Sequence, residues 1–283
     1  MPPVITVENL EFSYGTAPVL RGLDLSVEAG EVVCLLGPNG VGKTTLVENL
    51  LGSLAPTNGR VRVFGTDPRQ AGAGFWAKVG LVQQSWTDHA KWRVKDQLEW
   101  IRSVQLTAAE RVSTVAEVLD AVGLSDKADS RLSRLSGGQR RTIDFAAALL
   151  ASPELLILDE PTTGLDPVSK ARLHDLILAR VDEDATIVMT THDLSEAERL
   201  ASRVLIMNEG RIIADGTVTA LRELLDRGSE ITWIEDGARH VHTTHSPERF
   251  VRGLDLDAIT GLTITRPTLE ETYLSLVNKE PRP

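Results

Sequence analysis

Four groups of residues in this chain have the types and spacing that phosphate chemistry requires. The first is Gly37-Pro38-Asn39-Gly40-Val41-Gly42-Lys43-Thr44-Thr45, set between an apolar run at 32–36 and an amphipathic segment at 46–51. A strand, a glycine-rich turn and a helix in that order make a P-loop. The glycines let the backbone curl so that successive N–H groups face one anion, and the helix that follows turns its positive end to the same point. Lys43 reaches the outer phosphates of a nucleoside triphosphate, and the Thr44 hydroxyl is placed to bind Mg²⁺.

The second group is Asp159-Glu160, two acids closing the apolar run at 155–158. Beside a P-loop, Asp159 is suited to hold Mg²⁺ through water and Glu160 to face the attacking water. The third is Leu135-Ser136-Gly137-Gly138-Gln139, a Ser-Gly-Gly turn that enters a helix at 140–150. It presents a hydroxyl and bare N–H groups at a helix N-terminus, a second anion site. One nucleotide does not need two distant phosphate cradles on one chain, but two copies of the chain sharing two nucleotides would. The fourth group comprises single polar residues after apolar strands: Gln83-Gln84 after 79–82, and Thr190-Thr191-His192 after 185–189.

The elements that must position these groups follow from periodicity. Strands alternate with helices, and the chemical residues stand at strand ends, which describes an α/β sheet whose ligand lies at its carboxyl edge. Alternating segments at 4–12, 23–27 and 61–64 read as antiparallel strands apart from that sheet. From 85 to about 150 the texture is polar and helical, with Leu98, Ile101 and Val104 on one face and Val115, Val118, Leu119 and Val122 on another. Trp86, Trp92 and Trp100 fall at its beginning and read either as core of that unit or as an anchor for a partner. Beyond 217 a small α+β appendage is expected: a helix around 221–225, strands at 230–234 and 239–244 joined at Asp236-Gly237, a helix near 249, a strand at 258–265 and a helix at 269–277. His240 and His242 share a strand face, so two metal ligands can meet, but no cysteine lies near them or His245. The segment reads better as a solvated return strand.

Composition narrows the function classes. The chain has 283 residues, 42% hydrophobic and 25% charged, as an ordinary globular protein does. A net charge of −10 argues against a surface built for nucleic acid. A single cysteine, Cys34, excludes an internal disulfide framework and fits a reducing compartment as a small core residue. The N-terminal residues do not read as a signal peptide, and no apolar run approaches the ~20 residues that span a bilayer. Work at a membrane requires another chain to supply the span.

Taken together, these motifs resemble the ATPase subunit of the ATP-binding cassette (ABC) family. The resemblance runs from about residue 4 to 216, with the P-loop, residues 135–139, Asp159-Glu160, Gly164-Leu165-Asp166 and His192 in that family's order. It implies a P-loop NTPase core with an antiparallel β subdomain and a helical insertion. It also implies a head-to-tail dimer in which each of two ATP molecules lies between the P-loop of one protomer and the signature turn of the other. Ser136 and Gly138, with Gly137 and Gln139 completing the turn, then meet the γ-phosphate in trans. Tyr14 matches the aromatic that stacks on adenine. Gln84, favoured over Gln83 by alternation and spacing, matches the glutamine that senses Mg²⁺ and the water. Asp166 matches the loop that couples the two sites, and His192 the switch histidine at the γ-phosphate.

The activity so implied is hydrolysis of ATP with Mg²⁺. The partners are a second copy, or a related ATPase subunit, and a separate transmembrane permease that holds the chain at the cytoplasmic side of the cell membrane. Residues 1–216 form the nucleotide-binding domain, its helical subdomain at about 85–150, and 217–283 a regulatory or dimerisation appendage. The closing Arg266-Pro267-Thr268-Leu269-Glu270-Glu271-Thr272-Tyr273-Leu274 resembles the tail of subunits that serve multidrug- and antibiotic-export permeases, which sets export as the expected direction. The segment at 86–92 departs from the usual apolar run that receives the permease's coupling helices, and is expected to shape permease choice. The alternative is a soluble cassette protein acting on ribosomes, nucleic acid or cofactor assembly, whose second cassette, coiled-coil insertion and basic tail are missing here. A GTPase or small-molecule kinase would leave residues 135–139 without a purpose.

Overall fold

The computed structural model describes residues 2–85, 88–109, 111–181, 185–223 and 229–265, together with 268, 270, 273, 274 and 276. Two long strands, β1 (Ile5–Tyr14) and β2 (Ala17–Val27), precede β3 (Val32–Leu36), the P-loop and α1 (Lys43–Leu50). β4 (Asn58–Val63) and a single turn of helix, α2 (Ala73–Trp76), lead to β5 (Val79–Val82). The helical stretch holds α3 (Val94–Gln105), α4 (Val115–Ala121) and α5 (Gly137–Leu149). The chain then alternates through β6 (Leu155–Asp159), α6 (Pro167–Val181), β7 (Thr186–Thr191), α7 (Leu194–Leu200), β8 (Arg203–Asn208) and β9 (Arg211–Gly216).

Six strands form one sheet in the order β5-β6-β7-β3-β8-β9, and the pairs from β5 through to β8 are parallel. Strands covered on both faces read as near-continuous apolar runs, and β3, β6 and β7 are buried at every position, Asp159 and the threonines of β7 included. Because β5, β6, β7 and β3 stand side by side in one direction, their carboxyl ends open on one edge. That edge carries Gln84, Asp159 with Glu160, His192 and the P-loop.

The second sheet, β2-β1-β4, is antiparallel. Its alternate residues Ile5, Val7, Val27 and Val63 share one core with Leu35 of β3 and Leu46, Val47 and Leu50 of α1, which fixes the P-loop helix between the two sheets. β4 begins at Asn58, three residues before the strand expected at 61–64, because β1 is long enough to pair Glu11 with Asn58. Cys34 is buried, and burial pushes its thiol far above the usual range, so it is an inert core residue.

The helical stretch departs from expectation in α3. Its buried positions are Val94, Gln97 and Leu98, all in the first half, and Val104 is 59% exposed. The packed stripe ends before the last turn. Trp92 and Trp100 are not core either: they are 38% and 51% exposed, with ring centroids 6.2 Å apart. Trp86 lies outside the described residues.

The described residues divide into two compact units between Ile213 and Ala214. The second contains α8 (Val218–Glu223), β10 (Ser229–Glu235), β11 (Ala238–Thr244), α9 (Pro247–Val251) and β12 (Ile259–Thr265). Its strands form an antiparallel sheet in the order β11-β10-β12. Ile231, Trp233 and Ile259 are covered by Phe250, Val251 and Leu254. His240 stacks on Trp233 and His242 on Phe250, with centroids 5.2 and 3.9 Å apart. Among the described residues no group of three or more His, Cys, Asp or Glu side chains is placed to hold a metal ion. Residues 266 and 267 and most of the helix expected at 269–277 lie outside the described residues.

Candidate active site

The P-loop turns into α1 at Gly42, whose φ of 111° is left-handed and whose absent Cβ would stand 2.9 Å from the Leu20 side chain. Only glycine fits both demands. Lys43 follows as the first helical residue, 4% exposed, its Nζ donating to Gly37 O at 2.8 Å and Pro38 O at 3.2 Å. The same ammonium lies 3.2 Å from Glu160 Oε1. Thr44 is exposed at the helix start and Thr45 buried, its carbonyl bonded by Asn49 Nδ2 at 2.8 Å. Pro38, Asn39 and Gly40 are exposed, while Val41 is buried against the core. Tyr14, at the end of β1, donates its hydroxyl to Glu48 Oε2 of α1 at 3.2 Å and packs edge-on against Phe12, which leaves the ring exposed beside the P-loop helix.

The two acids are held from β7. The Thr190 hydroxyl donates to Asp159 Oδ1 and accepts from Glu160 N at 2.9 Å. Glu160 has φ 45°, a left-handed backbone that non-glycine residues rarely adopt. Such strain persists where surrounding contacts enforce it, and it clusters at sites of function. The Glu160 carboxylate is where the edge converges. Oε1 faces Lys43, while Oε2 accepts from Thr163 Oγ1 at 2.9 Å and lies 3.5 Å from Gln84 Nε2 and 3.4 Å from His192 Nδ1. Residues from four strand ends thus meet at one anion.

The signature turn is arranged differently. Ser136 caps α5: its hydroxyl accepts from Gln139 N at 3.2 Å, and Gln139 Oε1 accepts from Ser136 N at 3.1 Å, a closed capping box. Gly137 opens the helix, and at Gly138 a Cβ would stand 2.1 Å from Ser169 Oγ and 2.4 Å from Ser169 Cβ. Ser169 in turn donates N–H and hydroxyl to Asp166, which also accepts from Val168 N. Those bonds, Ser169's side chain first, hold the exposed Asp166 carboxyl below its ordinary range. Among the described residues no hydrogen bond or ion pair joins 136–139 to the P-loop.

Helix α5 also secures the glutamine segment. Arg141 donates through its two terminal nitrogens to the carbonyls of Gln83 and Gln84, and Arg140 grips Asp88 with two nitrogens. Asp144, one turn further along, is pushed up to about 7 by burial in spite of the Arg141 charge.

Comparison with known proteins places this arrangement. A family profile described as ABC transporter matches residues 20–163. The daunorubicin resistance ATP-binding protein DrrA3 of Streptomyces coeruleorubidus is 34% identical over 98% of this chain and 97% of its own. The Nod factor export ATP-binding protein I of Rhizobium meliloti (strain 1021) is 33% identical over 98% of this chain and 88% of its own. The chain belongs to the ABC transporter family. Among solved structures, an ATP-binding subunit of an ABC transporter shares the fold at TM-score 0.70 and 24% identity, over 79% of this chain and 93% of that one. The cbiO1 protein of Clostridium perfringens, part of the ABC transporter complex cbiONQ, matches at TM-score 0.65 and 28% identity over 80% of this chain and 94% of its own.

This ABC ATPase is thus similar throughout to export-system ATP-binding subunits, and its mixed α/β architecture is that of a P-loop NTPase. Three supports of the site give only faint sequence signals. Thr190 is a polar residue at the end of an apolar strand, Thr163 is one hydroxyl in a loop of several, and Arg141 is one of three charges on α5, with Arg140 and Asp144. Each becomes legible only through its partner.

Proposed function

We propose that this ABC ATPase subunit hydrolyses ATP as a head-to-tail dimer and powers export through a separate membrane permease. The observation that carries the reading is the convergence of Lys43, Gln84 and His192 on the Glu160 carboxylate at one sheet edge. Among the described residues no hydrogen bond or ion pair joins the second anion-suited turn, Ser136 to Gln139, to the P-loop, which suits it to the nucleotide of another copy.

In this reading the backbone N–H groups of the P-loop, from Gly37 to Thr45, cradle the phosphates and Tyr14 stacks on adenine. Glu160 orients the attacking water, its Oε2 held by the Thr163 hydroxyl. Lys43 and His192 set positive or donor groups against the γ-phosphate, where charge grows in the transition state. Ser136 and Gly138 close on that phosphate from the partner copy, and Asp166, bonded to Ser169 beside Gly138, links the two sites. Mg²⁺ supplies further counter-charge to the phosphate oxygens when bound. The Thr44 hydroxyl, the Asp159 carboxylate and the Gln84 amide oxygen would hold it: oxygen donors with one carboxylate are the chemistry that ion takes.

Export is supported by the named roles of the relatives in daunorubicin resistance and Nod factor export. Among the described residues no helix is long and apolar enough to cross a membrane; in this reading a separate permease supplies the span and holds the subunit at the cytoplasmic side. Residues 1–216 act as the nucleotide-binding domain, with 217–283 as a regulatory or dimerisation appendage. Glu160→Gln is the deciding experiment. ATP affinity is expected to hold while turnover slows by about 10²–10⁴-fold, the scale of a lost general base, and an ATP-bound dimer accumulates on size-exclusion chromatography. Near-normal turnover would sink the assignment.

A further inference from the structure

Behind the strand ends lies a buried carboxylate that faces none of the groups assigned to the nucleotide. Glu196, in the first turn of α7, is 1% exposed. Its Oε1 accepts from the Thr162 hydroxyl and from His174 Nε2 of α6 at 2.9 Å, with Lys170 Nζ 3.5 Å away. Its Oε2 accepts from the Thr191 hydroxyl, which itself accepts from Asp193 N at 3.0 Å. Burial pushes the Glu196 carboxyl up, but the bonds from His174, Thr162 and Thr191 and the Lys170 charge outweigh it and hold the group below its ordinary range. Glu196 is therefore an anion that accepts only, and His174 must carry its proton on Nε2.

The donors matter for where they sit in the chain. Thr162 is two residues past Glu160, and Thr191 directly precedes His192. Glu160 and His192 belong to the ends of different strands, yet their side chains lie 3.4 Å apart. One carboxylate binds the loops that carry both. We propose that Glu196 is a positioning residue for hydrolysis: it fixes the Glu160 loop against the His192 loop, and His174 fixes Glu196. An amide replaces the carboxylate poorly here, because it has one acceptor oxygen and no charge. Its NH₂ would face either the Thr191 hydroxyl, which would then accept a second bond and donate none to residue 196, or the Thr162 and His174 donors. The inference rests on reading Glu160 as the carboxylate that orients water.

The test uses the full-length chain and measures steady-state ATP hydrolysis beside ATP affinity at equilibrium. Glu196→Gln is expected to lower kcat by about tenfold or more while affinity stays within about twofold, since no hydrogen bond or ion pair among the described residues joins this cluster to the P-loop. Residues that act as a unit are non-additive, so in a Glu160→Gln background the same change should remove no more than about twofold. A purely structural role would give equal losses in both backgrounds. Should Glu196→Gln fail to fold, Thr191→Val is expected to lower kcat in the same way, with Thr191→Ser, which keeps the hydroxyl, restoring most of the loss. Unchanged kcat, equal losses in both backgrounds, or affinity falling in step with kcat would each overturn the proposal. Near-normal turnover in Glu160→Gln alone would instead overturn the reading beneath it. A slow Glu160→Gln beside an unaffected Glu196→Gln overturns this inference only.

Discussion

The carboxyl edge of the parallel sheet and the signature turn both present groups suited to phosphate, yet they satisfy those groups in opposite ways. At the edge, Lys43, Gln84 and His192 come from separate strand ends and meet at Glu160, so each is held by a residue distant in sequence. At the turn, Ser136 and Gln139 satisfy each other within one helical turn, while Gly138 packs close against Ser169 of α6. The edge is a tertiary product and the turn a local one. A site assembled from several strands keeps its geometry only while the sheet holds, whereas a capped helix end travels intact on whatever carries it. That suits the edge to the chemistry of one copy and the turn to meeting another.

This contrast can be broken at either end. The largest change is expected at Lys43, since Lys43→Ala removes a charge-assisted phosphate contact worth roughly 1.5–3 kcal/mol. ATP affinity should fall about ten- to a hundredfold in equilibrium titration, and unchanged affinity would count against the edge as the nucleotide site. Next is Gly138→Ala, where the new methyl must displace Ser169 at the start of α6. Overpacking of this kind destabilises by about 1–3 kcal/mol, so chemical denaturation should show a lowered midpoint. An unshifted midpoint would mean that the turn does not lean on α6.

Ser136→Ala sharpens the comparison with a smaller effect. Loss of an N-cap hydroxyl costs about 1 kcal/mol of stability. ATP affinity of a single chain should be untouched while hydrolysis by the dimer falls, and a drop in single-chain affinity would show that the two regions are not separate. A pH-dependent change concerns helix α5, which clamps the glutamine segment. The Asp144 carboxyl, pushed up to about 7 by burial, holds its proton in the folded chain at pH values where the unfolded chain has released it. Its folded value lies above its unfolded one, so this group's contribution to stability declines as pH rises from about 4 to about 7. Asp144→Asn should remove that decline, so that its melting temperature gains on the unaltered chain across the window and runs parallel above it. A constant difference across that range would refute the assignment.

Much of this molecule is legible in order. The continuous apolar runs at 32–36 and 155–158 mark strands buried on both faces, and the chemical residues follow them at once, because parallel strands deliver their loops to one edge. Asp236-Gly237 marks the hairpin between β10 and β11 for an equally local reason, since the turn needs left-handed backbone that these residues adopt. Side-chain exposure is less legible. Val104 sits in phase with Leu98 and Ile101 but lies past the end of the packed stripe, and Trp92 and Trp100 are apolar by type yet exposed. Periodicity reports which residues share a face, not whether anything covers it.

The sequence by itself determined the chemical parts: a P-loop, a pair of acids, a capped Ser-Gly-Gly turn and polar residues at strand ends. These follow from short-range rules of turn, cap and strand. Only the tertiary structure decided that Glu160 takes a left-handed backbone under Thr190, that the Gln84 side chain reaches it, and that Glu196 ties Thr162 to Thr191. Each of those choices depends on groups brought together from separate strands and helices. No spacing along one chain encodes the direction in which a side chain must turn to meet them.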